Sequence, residues 1–392
     1  MKFNKHKIFT LIGLYFILPN LLFSNEILST TQNEILKLDE SKAQADVSKL
    51  SKDWMNKNAI TYTYSYSKTD DKRVPSQRFS IISINQSIFR SGGIYYAIKY
   101  ASNVDLDSKL SIKIQKQNLI TQTLNTIFNI KKLDLQIQKQ KLSLQNAIID
   151  YDTKKESVFN GLLDISFLNN AMLVKNRTQI SLLDLEFSKQ NLINTLSTLS
   201  DLAYDKIKLP KLDLINEDNF KENNLNIKKA DISIKKQNSL SGVSNAQYLP
   251  KVTLNYTKTF NHTLDNDSYK YGFNVIVPID FKTSNALESN KIAVLKQKAQ
   301  AKLVKLQEEV FFKSNELEIQ NIVKKIALTK QNIKAYEKLV NQTKELFNAG
   351  LKTSNDLKIL ENSKKSEELS IQMYKIDKQI KLLDIYKRVV ND

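Results

Sequence analysis

Residues 94–209 and 279–392 hold one helix-breaking residue apiece, Gly161 in the first tract and Gly350 in the second. Tracts so poor in Gly and Pro cannot make the many tight turns of a compact α/β enzyme. They suit very long helices that fold back once. The scarcity is general: the chain has seven Gly and five Pro, where average usage gives about 27 and about 20. In the first tract Ile120, Leu124, Ile127, Ile130, Leu133 and Ile137 recur at spacings of three and four, which predicts a helix with an apolar stripe. The spacing predicts helices over Gly93–Asn160 and on to about Asp201, then from about Ser284 to Asn348 and from Asp356 to Val390. A helix of about 65 residues would be a rod of about 100 Å.

Ahead of each tract the hydrophobic period changes from helical to two. In Asn58–Ser67, Ile60, Tyr62, Tyr64 and Tyr66 alternate with Thr61, Thr63 and Ser65. After a loop through Asp70, Asp71 and Pro75, a second strand is expected over Phe79–Phe89. Val252, Leu254 and Tyr256 then alternate with Thr253 and Asn255. Beyond the loop around His262, Tyr271, Phe273, Val275, Val277, Ile279 and Phe281 form one face of an expected fourth strand. Such alternation fits either strands of a membrane barrel, apolar toward lipid and polar toward the lumen, or a half-buried soluble hairpin. The expected lipid-facing residues are Tyr62, Tyr64, Tyr66, Val252, Leu254, Tyr256, Phe273, Val275 and Val277, with Thr61, Thr63, Thr253, Asn255 and Asn274 toward the lumen.

The same grammar appears twice. Val158–Ala171 and Leu346–Leu360 each carry a Gly with a Leu seven residues later (Leu168, Leu357), and Ser87 corresponds to Pro278. The offset of about 190 residues predicts a duplication: a first repeat over residues 25–210 and a second over 211–392.

Composition narrows the chemistry. With no Cys there is no disulfide, thiolate metal site or Cys nucleophile, and two His, His6 and His262, leave little for a zinc site or a His-dependent base. No catalytic residue, cofactor or metal site is expected, and the chain is not expected to be an enzyme. The formal charge of +18 comes from 59 Lys+Arg against 41 Asp+Glu. Only Arg73, Arg78, Arg90, Arg177 and Arg388 are Arg, so the forked guanidinium readers of nucleic acid are scarce, and no nucleic-acid partner is expected. Lys2, Lys5 and Lys7 precede an apolar stretch from Ile8 to Phe23, the pattern of a signal peptide over residues 1–24; a membrane-anchoring helix is the other reading. The apolar stretch is short for a span of about 20 residues, which favours cleavage and export.

In order along the chain, these elements resemble the TolC-type outer-membrane efflux and secretion channels. Gln86-Ser87-Ile88-Phe89-Arg90-Ser91-Gly92-Gly93 looks like that family's P-L-F-x-G-G turn from strand to helix. Val277-Pro278-Ile279-Asp280-Phe281 keeps the Pro of that turn without the Gly pair. Ala246-Gln247-Tyr248-Leu249-Pro250 looks like the lead-in to the third strand, and Phe347-Asn348-Ala349-Gly350 with Asp356-Leu357 looks like the second helix tip.

The resemblance implies a mainly α chain with a small β part. Its long antiparallel helical hairpins would form a trimeric α-barrel tube continuous with a 12-stranded transmembrane β-barrel, four strands per chain. Four strands alone cannot close a barrel, so a homotrimer is expected. The implied function is the outer-membrane channel component of a tripartite efflux pump or type I secretion system. It would be a passive duct across the outer membrane of a Gram-negative bacterium and its periplasm, partnered by a periplasmic adaptor, an inner-membrane pump and outer-membrane lipid. The alternative is a periplasmic coiled-coil adaptor or structural protein. Because this chain is shorter than many members, a reduced equatorial region is expected. Adaptor docking falls on the helix tips Gly161, Leu162, Leu163, Gly350, Leu351, Lys352 and Thr353. The resemblance places Asp356 at a lumen constriction, where the first tip has Phe167, and Asp164 and Lys352 are candidates for a closed-state latch.

Overall fold

A computed structural model of the chain describes residues 27–69 and 72–389. The expected signal peptide and the Asp70-Asp71 loop lie outside them. In chain order the elements are α1 (Thr30–Leu50), β1 (Ala59–Thr69), β2 (Lys72–Phe89), α2 (Gly93–Phe159), α3 (Ile165–Ser197), α4 (Glu217–Asn223), α5 (Leu225–Asn245), β3 (Lys251–Asn261), β4 (Asn266–Ile276), α6 (Thr283–Asn348) and α7 (Ser354–Tyr386). The order helix, two strands, long helix, shorter helix occurs twice. The copies match in size: α1 and α5 have 21 residues each, α2 and α6 have 67 and 66, and α3 and α7 have 33 each.

The strands form one antiparallel sheet in the order β1-β2-β3-β4, which leaves β1 and β4 as edges. Two strand ends differ from the expectation, both because of proline. β2 begins at Lys72 and runs through Pro75. The register slips there, from Ser65 opposite Gln77 to Ser67 opposite Val74, so Pro75 falls in a bulge where its missing N–H leaves no ladder bond unmade. β4 ends at Ile276, paired with Lys251 at the start of β3. Val277, expected in the strand, lies one residue past it, because Pro250 and Pro278 stop the ladder on both sides.

Below the sheet α2 packs on α3 and α7, and α7 packs on α6. The helical layer therefore runs α3-α2-α7-α6, with α3 and α6 at its edges. Higher up, α1 and α5 pack on α2, and α5 also on α6. The apolar core is a single knot at mid-length. Leu124, Ile127 and Ile130 of α2 meet Phe312 of α6, Leu382 and Ile385 of α7 and Phe220 of α4 there, with Ile207 and Leu212 from the connection between α3 and α4. Above and below this knot the helices are held in a sheet-like layer with much of their surface exposed. Among the described residues no helix is long and apolar enough to cross a membrane.

Candidate functional site

The β-sheet has two chemically distinct faces. The register sets Ile60, Tyr62 and Tyr64 opposite Ile82, Ser80 and Arg78, Ile84 and Gln86 opposite Tyr256 and Leu254, and Val252, Leu254 and Tyr256 opposite Val275, Phe273 and Tyr271. With alternation of side chains along each strand, Tyr62, Tyr64, Tyr66, Val252, Leu254, Tyr256, Phe273 and Val275 share one face. The three tyrosines of β1 and Tyr269, Tyr271 and Phe273 of β4 are all exposed in the single chain. The opposite face carries Thr61, Thr63, Asn255, Thr257 and Asn274, and the Ser87 and Thr253 hydroxyls meet on it at 3.4 Å. The apolar belt ends toward the strand-connecting loops. There Lys258 Nζ lies 3.2 Å from an Asp267 carboxylate oxygen, and Ser80 Oγ lies 2.7 Å from His262 Nε2.

The strand-to-helix turns are built differently in the two repeats. Gly92 is left-handed, at φ 86°, and a Cβ on Gly93 would sit 2.7 Å from that of Ala246. One glycine thus supplies the turn and the other a close approach of α2 to the end of α5. In the second repeat Asp280 does this work without glycine. Its Oδ1 accepts from the Lys282 N–H at 2.8 Å, and its backbone carbonyl accepts from the Thr283 hydroxyl at 2.7 Å. Lys282 keeps ordinary right-handed angles, which accounts for the missing Gly pair.

The hairpin tips are two copies of one turn. Gly161 and Gly350 have φ 70° and 74°. The Leu162 N–H donates to the Ser157 carbonyl at 2.8 Å, and the Leu351 N–H to that of Leu346 at 2.9 Å, closing each long helix with a Schellman motif. Leu162 and Leu351 are more than 70% exposed. Three residues past each glycine the next helix is capped. Asp164 accepts from the Ser166 N–H at 2.8 Å. Thr353 and Asp356 form a reciprocal capping box: Asp356 Oδ2 accepts from the Thr353 N–H at 3.0 Å and its hydroxyl at 2.9 Å. Hydrogen bonding by the Ser166 hydroxyl and N–H holds the Asp164 carboxyl below the usual aspartate range, and the Thr353 N–H and hydroxyl do the same for Asp356. Asp356 is therefore a structural cap as well as the expected constriction residue. Thr353-Ser354-Asn355-Asp356 is a legible capping-box sequence. Within one chain Asp164 and Lys352 form no ion pair among the described residues.

Two further contact sets had no sequence signal. Along the seam between α2 and α7, Lys132 meets Asp377 at 2.6 Å, Lys139 meets Ser370 at 2.9 Å, and Asn146 meets the buried Asn362 at 2.8 Å. The α2 members are seven residues apart, a polar ladder that fixes the register of the two helices. Near the core knot the buried Glu308 accepts from Arg388 at 2.7 Å and from Asn224 and Asn226 at 2.9 Å each. The Arg388 guanidinium also stacks 3.4 Å from the centre of the Phe311 ring.

The two layer edges are apolar. On α6, Leu295, Leu306, Leu317, Leu328 and Leu339 are exposed at a constant spacing of eleven. On α3, Leu173, Ile180 and Phe187 are exposed at a spacing of seven. An eleven-residue repeat follows a nearly straight helix with a slight right-handed drift.

Residues 218–387 match the family model described as outer membrane efflux protein. No curated protein matches the chain by sequence. Several solved structures share its fold. The outer membrane protein VceC from Vibrio cholerae is 16% identical at a TM-score of 0.71, covering 91% of this chain and 92% of that one. The CmeC outer membrane channel of Campylobacter jejuni is 13% identical at 0.76, covering 93% and 84%. The open-state MtrE outer membrane channel of Neisseria gonorrhoeae is 14% identical at 0.70, covering 93% and 87%. The family model thus matches the second half of the chain, and the chain shares the fold of these outer membrane channels over about nine-tenths of its length.

Proposed function

We propose that the protein is the outer-membrane channel component of a tripartite efflux pump or type I secretion system, a passive duct without chemistry of its own. The observation that carries this reading is the agreement of the open edges. β1 and β4 are unpaired at the sides of the sheet, and α3 and α6 carry exposed apolar stripes at the sides of the helical layer. A cyclic assembly joins β4 and α6 of one chain to β1 and α3 of the next. It pairs the strand edges and buries the leucine ladder in one operation. Three chains give 12 strands, above the roughly eight that a membrane barrel requires.

In that assembly Tyr62, Tyr64, Tyr66, Val252, Leu254, Tyr256, Phe273 and Val275 face outer-membrane lipid, with Val277 at the periplasmic margin, and the Thr/Asn face lines the lumen. The tips Gly161-Leu162-Leu163 and Gly350-Leu351-Lys352-Thr353 receive a periplasmic adaptor coupled to an inner-membrane pump. Asp356 lies at the periplasmic constriction. A latch between Asp164 and Lys352 runs from one protomer to the next, since α3 at one edge adjoins the α6-α7 hairpin of its neighbour. Residues 1–24 direct export and are removed, leaving the repeats 25–210 and 211–392. The family match and the two-faced sheet with open edges favour this reading over a periplasmic adaptor.

The test is to extract the protein with detergent from outer membranes, measure its mass and record from planar bilayers. A trimer that migrates differently when heated and conducts ions is expected. A soluble monomer released without detergent would overturn the proposal.

A further inference from the structure

We infer that the barrel section of the duct is a cation-lined wall without carboxylates that favours passage of anionic solutes, an inference that rests on the channel reading above. Among residues 59–66, 76–89, 251–261 and 266–276, the polar face of the sheet carries Thr, Ser, Asn and Gln with a few apolar residues. Its two ionisable side chains are both lysine, Lys251 and Lys270. Lys251 stands opposite Ile276 and Lys270 opposite Thr257; both share the face of Thr253 and Asn255. The acid within these strands, Asp267, is on the other face, paired with Lys258. Negative charge is thus absent from the polar face while positive charge is placed on it twice.

The two lysines stand six residues apart along β3, about 20 Å. Three chains would set six ammonium groups in two tiers along the lumen, separated by hydroxyls and amides that hydrogen-bond water without countering the charge. A wall of one sign, backed by low-dielectric protein and lipid, concentrates counter-ions of the other. The field reaches about 10 Å at 0.1 M salt and about 30 Å at 0.01 M, so the preference should strengthen as salt is lowered. The barrel sign is opposite to that of Asp356 at the tips, and the two contributions can be separated by mutation.

The experiment uses the full-length protein in planar bilayers under KCl gradients, at low and at high salt, in an Asp356→Asn background. A reversal potential on the chloride side is expected at low salt, fading at high salt. The Lys251→Gln, Lys270→Gln double variant should move it toward zero, and Lys270→Glu toward the potassium side. Because the chain has no Cys, Lys270→Cys can also be labelled in the assembled pore, where a cationic thiol reagent should restore chloride preference and a neutral one should not. A conducting pore whose reversal potential ignores all these changes would overturn the inference and leave the channel reading intact. Absence of any conductance in the unmodified protein would instead overturn the channel reading.

Discussion

Asp164 and Thr353, 189 positions apart, do the same work in the two hairpin tips: each is the N-cap of the returning helix, three residues past a left-handed glycine. The cap chemistry has diverged while the backbone path has not. Asp164 caps alone with its carboxylate, whereas Thr353 caps with its hydroxyl and is capped back by Asp356. The position equivalent to Asp356 is Phe167, which cannot return a hydrogen bond. The tips are therefore alike in shape and unlike in charge.

The tip glycines are needed for backbone conformation and not for space, since a Cβ at Gly161 or Gly350 would meet nothing within 4 Å. Left-handed backbone costs an ordinary residue about 1–2 kcal/mol, and Asn tolerates it best. Gly350→Asn is expected to keep adaptor-dependent transport, while Gly350→Val loses it with trimers still assembled. Equal transport by the two variants would show that the turn conformation is irrelevant to docking.

Acid should loosen both tips. A carboxyl whose folded pKa is depressed contributes stability above its unfolded value of about 3.9, and that contribution is lost as pH falls through the lower folded value. Asp164 and Asp356 both follow this sign. Hydrogen exchange of tip amides, corrected for the chemical rate, should show protection at neutral pH and its loss in strong acid. In Asp356→Asn the second tip alone should lose this dependence. Retained pH dependence there would assign it to another group.

Gly242 of α5 stands where a Cβ would lie 2.4 Å from the Tyr96 ring of α2. Gly242→Ala should push the ring aside and lower the unfolding temperature, and Tyr96→Ser should recover much of the loss in the double variant. Additive effects of the two substitutions would show that the contact is not shared.

The long helices were legible because Gly and Pro mark their ends so sparsely, and the strands because Tyr62, Tyr64 and Tyr66 alternate so cleanly with hydroxyl residues. Strand limits were less so. Pro75 reads as a loop residue, and only pairing with β1 reveals that a bulge accommodates it. Pro278 is a strand terminator that the apolar run from Val275 to Phe281 conceals. Asp164 and Asp356 were expected at a latch and a constriction, and the caps they form were not read from the sequence, although Thr353 and Asp356 have capping-box spacing. The Glu308 site was not readable, because it joins Asn224, Asn226 and Arg388 across about 80 residues of chain with no periodic signature.

That site predicts a localised failure. Glu308 is 4% exposed and answers one guanidinium and two amides. Its removal strands a partly buried cation, which costs about 3–5 kcal/mol where measured. Glu308→Ala is expected to destabilise strongly and to release the segment after α7, which is bonded to α5 through the Leu225 N–H and the Arg388 carbonyl at 2.8 Å. Proteolysis of the C-terminal segment under native conditions reads this out. Resistance equal to that of the unmodified protein would mean that the apolar knot alone holds the segment.

Asp384, beside this site on α7, should respond to pH in the sense opposite to the tips. Burial raises its pKa, and Lys381, Lys387 and Arg388 offset only part of that effect. A carboxyl raised in the folded state contributes stability that is complete below its unfolded pKa and lost as pH rises through the folded value. As the pH rises above the unfolded value the group therefore increasingly opposes folding, although its charge would help to balance three neighbouring cations. Asp384→Asn removes the charge and keeps the shape. The difference in unfolding temperature between this variant and the unmodified protein is expected to favour the variant at neutral pH and to shrink as the pH approaches about 4. A destabilised variant at neutral pH would show that the three cations, and not burial, govern this position.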